Sequence, residues 1–250
     1  MRRLAGLAAL AVLMSAGGVR AQMTMGPPSP SAPYGPPIED DRVYVHGLLD
    51  QAEVRGDATG ASLRWMGEAW IGTDENRLWL KSEGQLRAHG QVEDGQQELL
   101  YDRPITPFFD LQAGARYGLD SGPGRGWAAV GVQGLAPYRI HVSATAYAGD
   151  RGRTAAKLEA SSDLLLTQRL ILSPQIEINL YGRDDPVRRI GSGLADVDAG
   201  LRLRYEITRK VAPYVGVNEQ AAFGETARLA HAAGDRAEAI RVVVGVRSWF

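Results

Sequence analysis

The stretch from residue 240 to residue 250 constrains the fold more than any other part of the chain. Side chains alternate between the two faces of a β-strand, so every second residue shares a face. One face is apolar except for a serine: Ile240, Val242, Val244, Val246, Ser248 and Phe250. The other face is mixed and carries two arginines. A soluble sandwich strand can alternate in this way, but the terminal aromatic residue favours the closing strand of an all-β outer-membrane barrel.

The first residues have the pattern of a secretory signal. Arg2 and Arg3 precede the apolar run Leu4–Met14, and Val19-Arg20-Ala21 ends in the small-residue pattern of a signal-peptidase site, so we expect export and cleavage after residue 21. No cysteine is present, which excludes a lipid-anchored protein, disulfides and thiolate metal sites. The remaining chain carries 25 Lys and Arg against 29 Asp and Glu, a formal charge of −4. Nucleic acid is therefore not an expected partner.

Residues 22–42 hold six of the 13 prolines and carry three acidic residues at positions 39–41. A segment of this composition cannot build a core and favours extended conformations. We interpret it as a disordered, Pro-rich periplasmic tail. The predicted organisation is therefore a signal peptide (1–21), this tail (22–42) and a transmembrane antiparallel β-barrel (43–250).

Twelve strand-like segments follow from Val43 onward, most of them about 9–13 residues long, near the span of a tilted membrane strand. Asp196–Ile207 alternates most cleanly, with a tyrosine and aliphatic residues opposite acids and arginines. Short connections, such as 104–108 and 208–210, are expected at the periplasmic end, with longer ones at 182–194 and 222–238. Because charges in lipid cost several kcal/mol each, the polar faces must line the lumen.

Several long stretches resemble the copper-resistance protein B family of outer-membrane proteins. They include LLDQAEVR (48–55), WMGEAWIGTDENRLWLKSEGQ (65–85), PFFDLQAGARY (107–117), WAAVGVQGLAPY (127–138) and 149–217. The resemblance covers nearly all of 43–250. It implies a barrel in the cell outer membrane that handles copper ions without enzymatic turnover, with outer-membrane lipid around it and periplasmic copper proteins as possible partners. Family members typically carry a Met- and His-rich segment after the signal, where only Met23 and Met25 remain here.

Few side chains of the expected mature chain suit copper. Cu(I) prefers thioethers, and Cu(II) prefers imidazole with oxygen donors. Met66 falls on the polar face of its strand beside Glu68, where we interpret it as a lumenal thioether ligand or as a gap-filler under Trp70. His46 lies on the adjoining strand and is a candidate partner. His141 is a further candidate, although a hydrogen-bonded lumenal histidine is the simpler interpretation.

The other donors are weaker candidates. Met23 and Met25 form a two-thioether fragment that alone would bind copper weakly, whereas His89 and His231 are expected to be solvated. No His-x-His or His-x3-His pair exists in the sequence. Metal binding at Met66, His46, Glu68, His141, Met23 and Met25 is therefore a hypothesis that depends mainly on the family.

Three alternatives remain beside copper handling. A general small-solute pore needs only a charged lumen. An outer-membrane phospholipase is suggested by His141-x-Ser143, but the alternation turns both residues inward, away from lipid. A soluble lipocalin-like barrel is the alternative fold, and it would stay in solution without detergent.

Overall fold

A computed structural model describes residues 42–57, 60–87, 92–119 and 124–250. In these residues twelve long antiparallel strands form one closed barrel. The strands are Tyr44–Asp57 (β1), Gly60–Gly72 (β2), Arg77–Arg87 (β3), Val92–Pro104 (β4), Phe109–Gly118 (β5), Arg125–Ala136 (β6), Ile140–Gly149 (β7), Thr154–Ser162 (β8), Leu170–Tyr181 (β9), Gly193–Tyr205 (β10), Val211–Ala222 (β11) and Glu238–Trp249 (β12). Each strand pairs with its neighbours in sequence, and the predicted fold class is confirmed.

The last strand closes the barrel against the first, as its alternation and terminal aromatic residue together predicted. Trp249 pairs with Leu48, and the pairing continues to Val242 opposite Gly56. Phe250 extends the contact, because its backbone N–H and C=O bond those of Gly47 at 2.9 Å each. A side chain at Gly47 would collide with the Phe250 ring, since an added Cβ would lie 2.4 Å from it. Glycine at this position therefore lets the terminal ring lie flat on the wall.

Strand boundaries agree with the sequence to within a few residues, and the differences have local causes. The predicted strand from Tyr138 begins only at Ile140, because Tyr138 and Arg139 adopt positive φ angles of 65° and 62° and complete the turn. The eighth strand is interrupted at Asp163 and continues as the two-residue strand Leu164–Leu165, which pairs with β9.

The two ends of the barrel differ. One end, here called the turn end, carries Tyr44 and Trp249 and connections of three to seven residues, such as 73–76 and 137–139. The other, the loop end, carries the long connections 182–192 and 223–237. Three loop-end connections, 58–59, 88–91 and 150–153, are as short as the turns, so the expected alternation of lengths is only partial. Short turns mark the periplasmic end of such barrels.

One α-helix, Gly224–Ala232 (α1), lies in the last loop-end connection. It begins after the last residue of β11 and carries His231 in its final turn. Among the described residues, no helix is both long enough and apolar enough to cross a bilayer.

The outer surface is apolar, as the alternation predicted. In β12 the outward Val242 and Val244 are 62% and 57% exposed, whereas Val243 between them is fully buried. One polar group of this surface is satisfied locally: Ser82 accepts hydrogen bonds from the Trp65 indole at 3.1 Å and the Gln97 amide at 2.7 Å. Pairing these groups with one another avoids the cost of exposing them to hydrocarbon.

The lumen is more apolar on one side than the charge pattern indicated. Trp79, Leu100, Ala129 and Tyr147 form a buried cluster inside the barrel. Leu100 is 1% exposed and pairs with Trp79 across β3 and β4. The Tyr147 hydroxyl donates to Glu98 at 2.6 Å, so its polar tip has a partner. This cluster fills part of the lumen beside β3–β7, and charged groups such as Glu98 and Lys81 lie against it.

Candidate functional site

Ion pairs cross the middle of the lumen from β1 and β2 to β9 and β10. Arg55 bonds Asp198 at 2.7 Å, and Arg64 bonds Glu177 at 3.1 Å. Arg202 reaches back to Glu53 at 2.8 Å. Arg55 and Glu53 are each 1% exposed, so water does not reach them from either end. The strands bring opposite charges from distant parts of the sequence together here, and the resulting ionic network closes the middle of the barrel.

A cluster of three carboxylates adjoins this network. Glu83, Glu159 and Glu177 each place an oxygen within 4.8 Å of the others, a spacing that suits a metal ion. The ammonium group of Lys157 already lies among them, at 2.5 Å from Glu83, 3.0 Å from Glu159 and 3.8 Å from Glu177. Arg64 adds a second positive charge beside Glu177. Two cations therefore offset most of the charge of the three carboxylates, and the cluster belongs to the ionic network.

On the turn-end side of the network the lumen widens into a cavity of about 410 Å³. Met66 and Glu68 of β2 and His141 of β7 all line it. Its wall also contains carboxylates and cations: Asp50, Asp110, Asp163, Lys81, Arg204 and Arg247. His141 lies near the start of its strand and is exposed, so solvent reaches the cavity from the turn end.

Met66 points into the lumen, as its position in the alternation predicted. It pairs with Gln51, and its thioether sulfur lies 3.9 Å from Nε2 of Gln175 on β9. Gln175 is itself held by Gln51 at 2.6 Å and by Arg202 at 3.2 Å. The sulfur therefore lies in a polar setting at the floor of the cavity, and Trp70, the neighbour considered for a packing role, lies four residues further along the strand.

His46 faces the lumen but does not lie alongside Met66. It pairs with Trp70 across β1 and β2, and its ring lies 6.0 Å from that of Trp70 and 6.1 Å from that of Trp249. Four residues of strand separate Trp70 from Met66, which corresponds to roughly 13 Å. His46 is also not part of the cavity wall. The register of β1 and β2 therefore separates two side chains that the sequence suggested could meet.

The remaining candidates lie elsewhere. His231 is exposed on α1 at the loop end. Met23, Met25 and His89 lie outside the described residues, as do the predicted signal peptide and nearly all of the predicted tail. Ser143 lines the cavity together with His141, so the pair faces the lumen and not the lipid.

Sequence reasoning missed the ionic network as a connected unit. The alternation places Glu83, Lys157 and Glu177 on polar faces, but only closure of the barrel and the registers of β3, β8 and β9 bring them into contact. The cavity was missed for the same reason. The inward methionine was the one available indication of the cavity, because a thioether among charged side chains is unusual in a polar lumen.

The cavity joins donors of different kinds. A thioether, an imidazole and several carboxylates line one space, and these are donors for soft monovalent and borderline divalent metal ions. The cationic side chains Lys81, Arg204 and Arg247 lie in the same wall and offset part of the negative charge of the acids. The arrangement suits a metal ion that passes or rests in the cavity better than a closed structural site, because His141 remains open to solvent.

Comparison with known proteins identifies the family. The family described as "Copper resistance protein B precursor (CopB)" matches residues 43–250. The chain is 43% identical over 216 residues to a copper resistance protein B homolog of Pseudomonas syringae pv. tomato, covering 86% of this chain and 73% of that protein. It is 40% identical over 216 residues to copper resistance protein B of Escherichia coli, with the same coverage of both chains.

Solved structures confirm the architecture. The NanC porin superposes with a TM-score of 0.53 and 12% sequence identity, covering 82% of this chain and 99% of the porin. At this identity the likeness concerns the fold alone, a β-barrel of the outer membrane. The family match over the whole barrel and the two relatives show that the chain belongs to the copper resistance protein B family.

Proposed function

We propose that this outer-membrane barrel binds copper ions in its turn-end cavity and thereby contributes to copper resistance and homeostasis. The observation that carries the proposal is the convergence of Met66, Glu68 and His141 on one cavity of about 410 Å³ in a member of a copper resistance family. Copper is the cargo of this site and not a catalytic cofactor. The protein is not an enzyme in this proposal.

Each donor has a role that follows from its chemistry. The Met66 thioether binds Cu(I), and the His141 imidazole with the Glu68 carboxylate binds Cu(II). His46, which lies beside Trp249 at the turn end, acts as an entry ligand outside the cavity. Met23 and Met25 offer a weak additional periplasmic site. Periplasmic copper proteins exchange their ion with the cavity from the turn end.

A general small-solute pore is less well supported. Such a pore needs a continuous aqueous path, whereas Arg55, Glu53 and Arg202 form a dry ionic network across the middle of the lumen. Passage of copper to the other side of the membrane then requires that this network rearrange. A phospholipase is also disfavoured, because His141 and Ser143 line the cavity and do not reach lipid.

The proposal is tested by competitive titration of the detergent-folded mature chain with Cu(I) and Cu(II) against chromophoric chelators. The wild type should bind both ions saturably. The variant Met23→Leu/Met25→Leu, which removes both tail thioethers, should retain the tighter Cu(I) site. Loss of that site in the tail variant would move copper binding out of the cavity, and absence of binding in the wild type would reject the proposal.

A further inference from the structure

The Gln175 side chain of β9 connects the floor of the turn-end cavity to the ionic network. Its Nε2 atom lies 3.9 Å from the sulfur of Met66. Its Oε1 atom accepts hydrogen bonds from Nε2 of Gln51 at 2.6 Å and from Nη1 of Arg202 at 3.2 Å. The donor end of this amide therefore faces the thioether, and its acceptor end faces two donors.

The contact between Gln175 and Arg202 is built into the barrel wall. Gly200 of β10 lies directly opposite Gln175, and an added Cβ at this glycine would collide with Nη1 of Arg202. The other donors of this guanidinium, Nε and Nη2, bond the two oxygens of Glu53 at 2.9 and 2.8 Å. Arg202 is 6% exposed. The Gln175 amide therefore supplies a third acceptor contact to a buried arginine of the ionic network.

This arrangement suits an empty cavity better than one that holds a cation at Met66. A cation on the sulfur and the N–H of Gln175 draw on the same lone-pair electrons, and the positive end of the amide dipole points toward that cation. The terminal torsion of a glutamine is soft, so the amide can reverse and turn its carbonyl oxygen toward the cation. Its NH₂ group then faces the donors of Gln51 and Arg202, and both hydrogen bonds to Oε1 are lost.

Gln51 supplies an acceptor for the reversed amide. This side chain is 2% exposed, and its Oε1 atom is buried without a hydrogen-bond partner in the part of the chain that the structure describes. A buried acceptor without a donor is unfavourable. Turning this oxygen toward the reversed Gln175 amide forms a hydrogen bond that the empty state lacks, which offsets part of the cost of the rearrangement.

We propose that Gln175 couples occupancy of Met66 to the ionic network: a soft monovalent cation bound to the sulfur reverses the Gln175 amide and releases it from Arg202. This coupling rests on the proposed function, in which Met66 is the Cu(I) ligand of the turn-end cavity. Coupling between two sites is reciprocal, so the hold of Arg202 on Gln175 also weakens cation binding at Met66. Gln175 is thus a positioning residue that acts on the network through Arg202.

The test uses Ag⁺ as the probe, because it binds thioethers and keeps one oxidation state in nitrate buffer. The full mature chain, folded in detergent and isotope-labelled in its arginines, is titrated by calorimetry and by NMR of the guanidinium Nε–H groups. The Arg202 signal is identified by its absence from Arg202→Lys. In the wild type this signal should shift saturably, with the dissociation constant that calorimetry gives for Ag⁺.

Two substitutions of Gln175 separate coupling from structural support. Gln175→Leu removes the amide, so the Arg202 signal should no longer respond to Ag⁺ while the affinity does not fall. Gln175→Glu has the same shape and presents oxygen both to the cation and to Arg202, so Ag⁺ should bind at least fivefold more tightly and leave the Arg202 signal in place. The matched controls place both substitutions at Gln220 of β11, which bonds Arg241 at 2.9 Å. They should keep the wild-type response and an affinity within twofold.

The outcomes distinguish this coupling from the proposed function. Ag⁺ binding to the wild type without an Arg202 response, or with a response that persists in Gln175→Leu, would overturn the coupling and leave the cavity site intact. A lower affinity in Gln175→Leu would reduce Gln175 to structural support and also overturn it. No Ag⁺ binding to the wild type would reject both the coupling and the thioether site. If Gln175→Leu lacks the heat-modifiable mobility of a folded barrel, an Arg202 response that persists in Gln175→Glu overturns the coupling.

Discussion

Nη1 of Arg55 on β1 lies 2.7 Å from Oδ2 of Asp198 on β10, although two strands, β11 and β12, separate β10 from β1 in the barrel wall. The two residues are 143 positions apart in sequence, and the Arg55 side chain is 1% exposed. Arg55 also bonds Glu53 at 2.7 Å, so one guanidinium holds two carboxylates. This contact joins the first strand to the tenth and anchors the ionic network.

Removing the cation from this contact should destabilise the barrel. Arg55→Met leaves two buried carboxylates with one partner fewer, and breaking a buried pair in this way costs about 3–5 kcal/mol. Urea unfolding in detergent measures the free energy of unfolding. The control Arg189→Met breaks an exposed pair with Asp235 and should cost less than about 1 kcal/mol. Equal losses in both variants would show that the network contributes no special stability.

Removing an ion pair that crosses the lumen should open a path for ions. Arg64→Ala/Glu177→Ala removes one charge of each sign, so the net charge is unchanged while the contact between β2 and β9 is lost. Conductance in planar bilayers should rise above that of the wild type. Arg77→Ala/Asp110→Ala is the matched control, because this pair, 3.1 Å apart, lies at the turn end outside the network. A high conductance of the wild type itself would contradict a closed lumen.

Deletion of Phe250 should impair assembly of the barrel more than the substitution Phe250→Ala does. The deletion removes both backbone hydrogen bonds to Gly47, whereas Phe250→Ala retains them and removes only the ring. The folded fraction is measured by heat-modifiable mobility after reconstitution. Normal insertion of the deletion variant would argue against a closing role for this residue.

The two oxidation states of copper should respond to different substitutions. Met66→Leu keeps the volume of the side chain but removes the sulfur, so Cu(I) affinity should fall at least tenfold, or about 1.4 kcal/mol. His141→Ala should weaken Cu(II) instead. Competition titrations measure both, and His231→Ala on α1 serves as the control. Unchanged Cu(I) affinity in Met66→Leu would remove the thioether from the site.

Acid should loosen the loop end only well below neutral pH. The pKa of Asp185 is lower in the folded protein than in the unfolded chain. Its contribution to stability is therefore fully present at pH values above the ordinary aspartate pKa, and it is lost as the pH falls through the folded-state pKa. Asp185→Asn should therefore reduce stability at pH 7 and reduce the dependence of stability on pH below about 4. Thermal unfolding at a series of pH values measures this. A variant as stable as the wild type at pH 7 would contradict it.

Much of the fold was predictable from local alternation. In β10 the outward Leu201 and Leu203 and the inward Arg202 and Arg204 follow directly from the period of two, because lipid and water impose opposite preferences on the two faces. The alternation, combined with the terminal aromatic residue, also identified the closing strand. The turn at Tyr138 and Arg139 was not predictable in this way, since its positive φ angles are a property of the tight connection and not of the strand pattern.

The candidate site was less accessible to sequence reasoning. Inward orientation of Met66 followed from the alternation, but its distance from His46 depends on the register of β1 and β2, which includes a shift between Leu49 and Gln51. Closure then decides which inward residues meet across the lumen. Period-two patterns carry no information about these distances, so the contact between Met66 and Gln175 could not be predicted before the structure.

The ionic network also bears on what the barrel does to the cell that produces it. A cavity that opens at one end only stays in equilibrium with a single compartment. Under the function proposed here, overproduction of the protein would raise the capacity of the periplasm to hold copper without making the outer membrane leaky to bulky antibiotics or bile salts. The ionic network across the lumen then allows the protein to be abundant without making the outer membrane permeable.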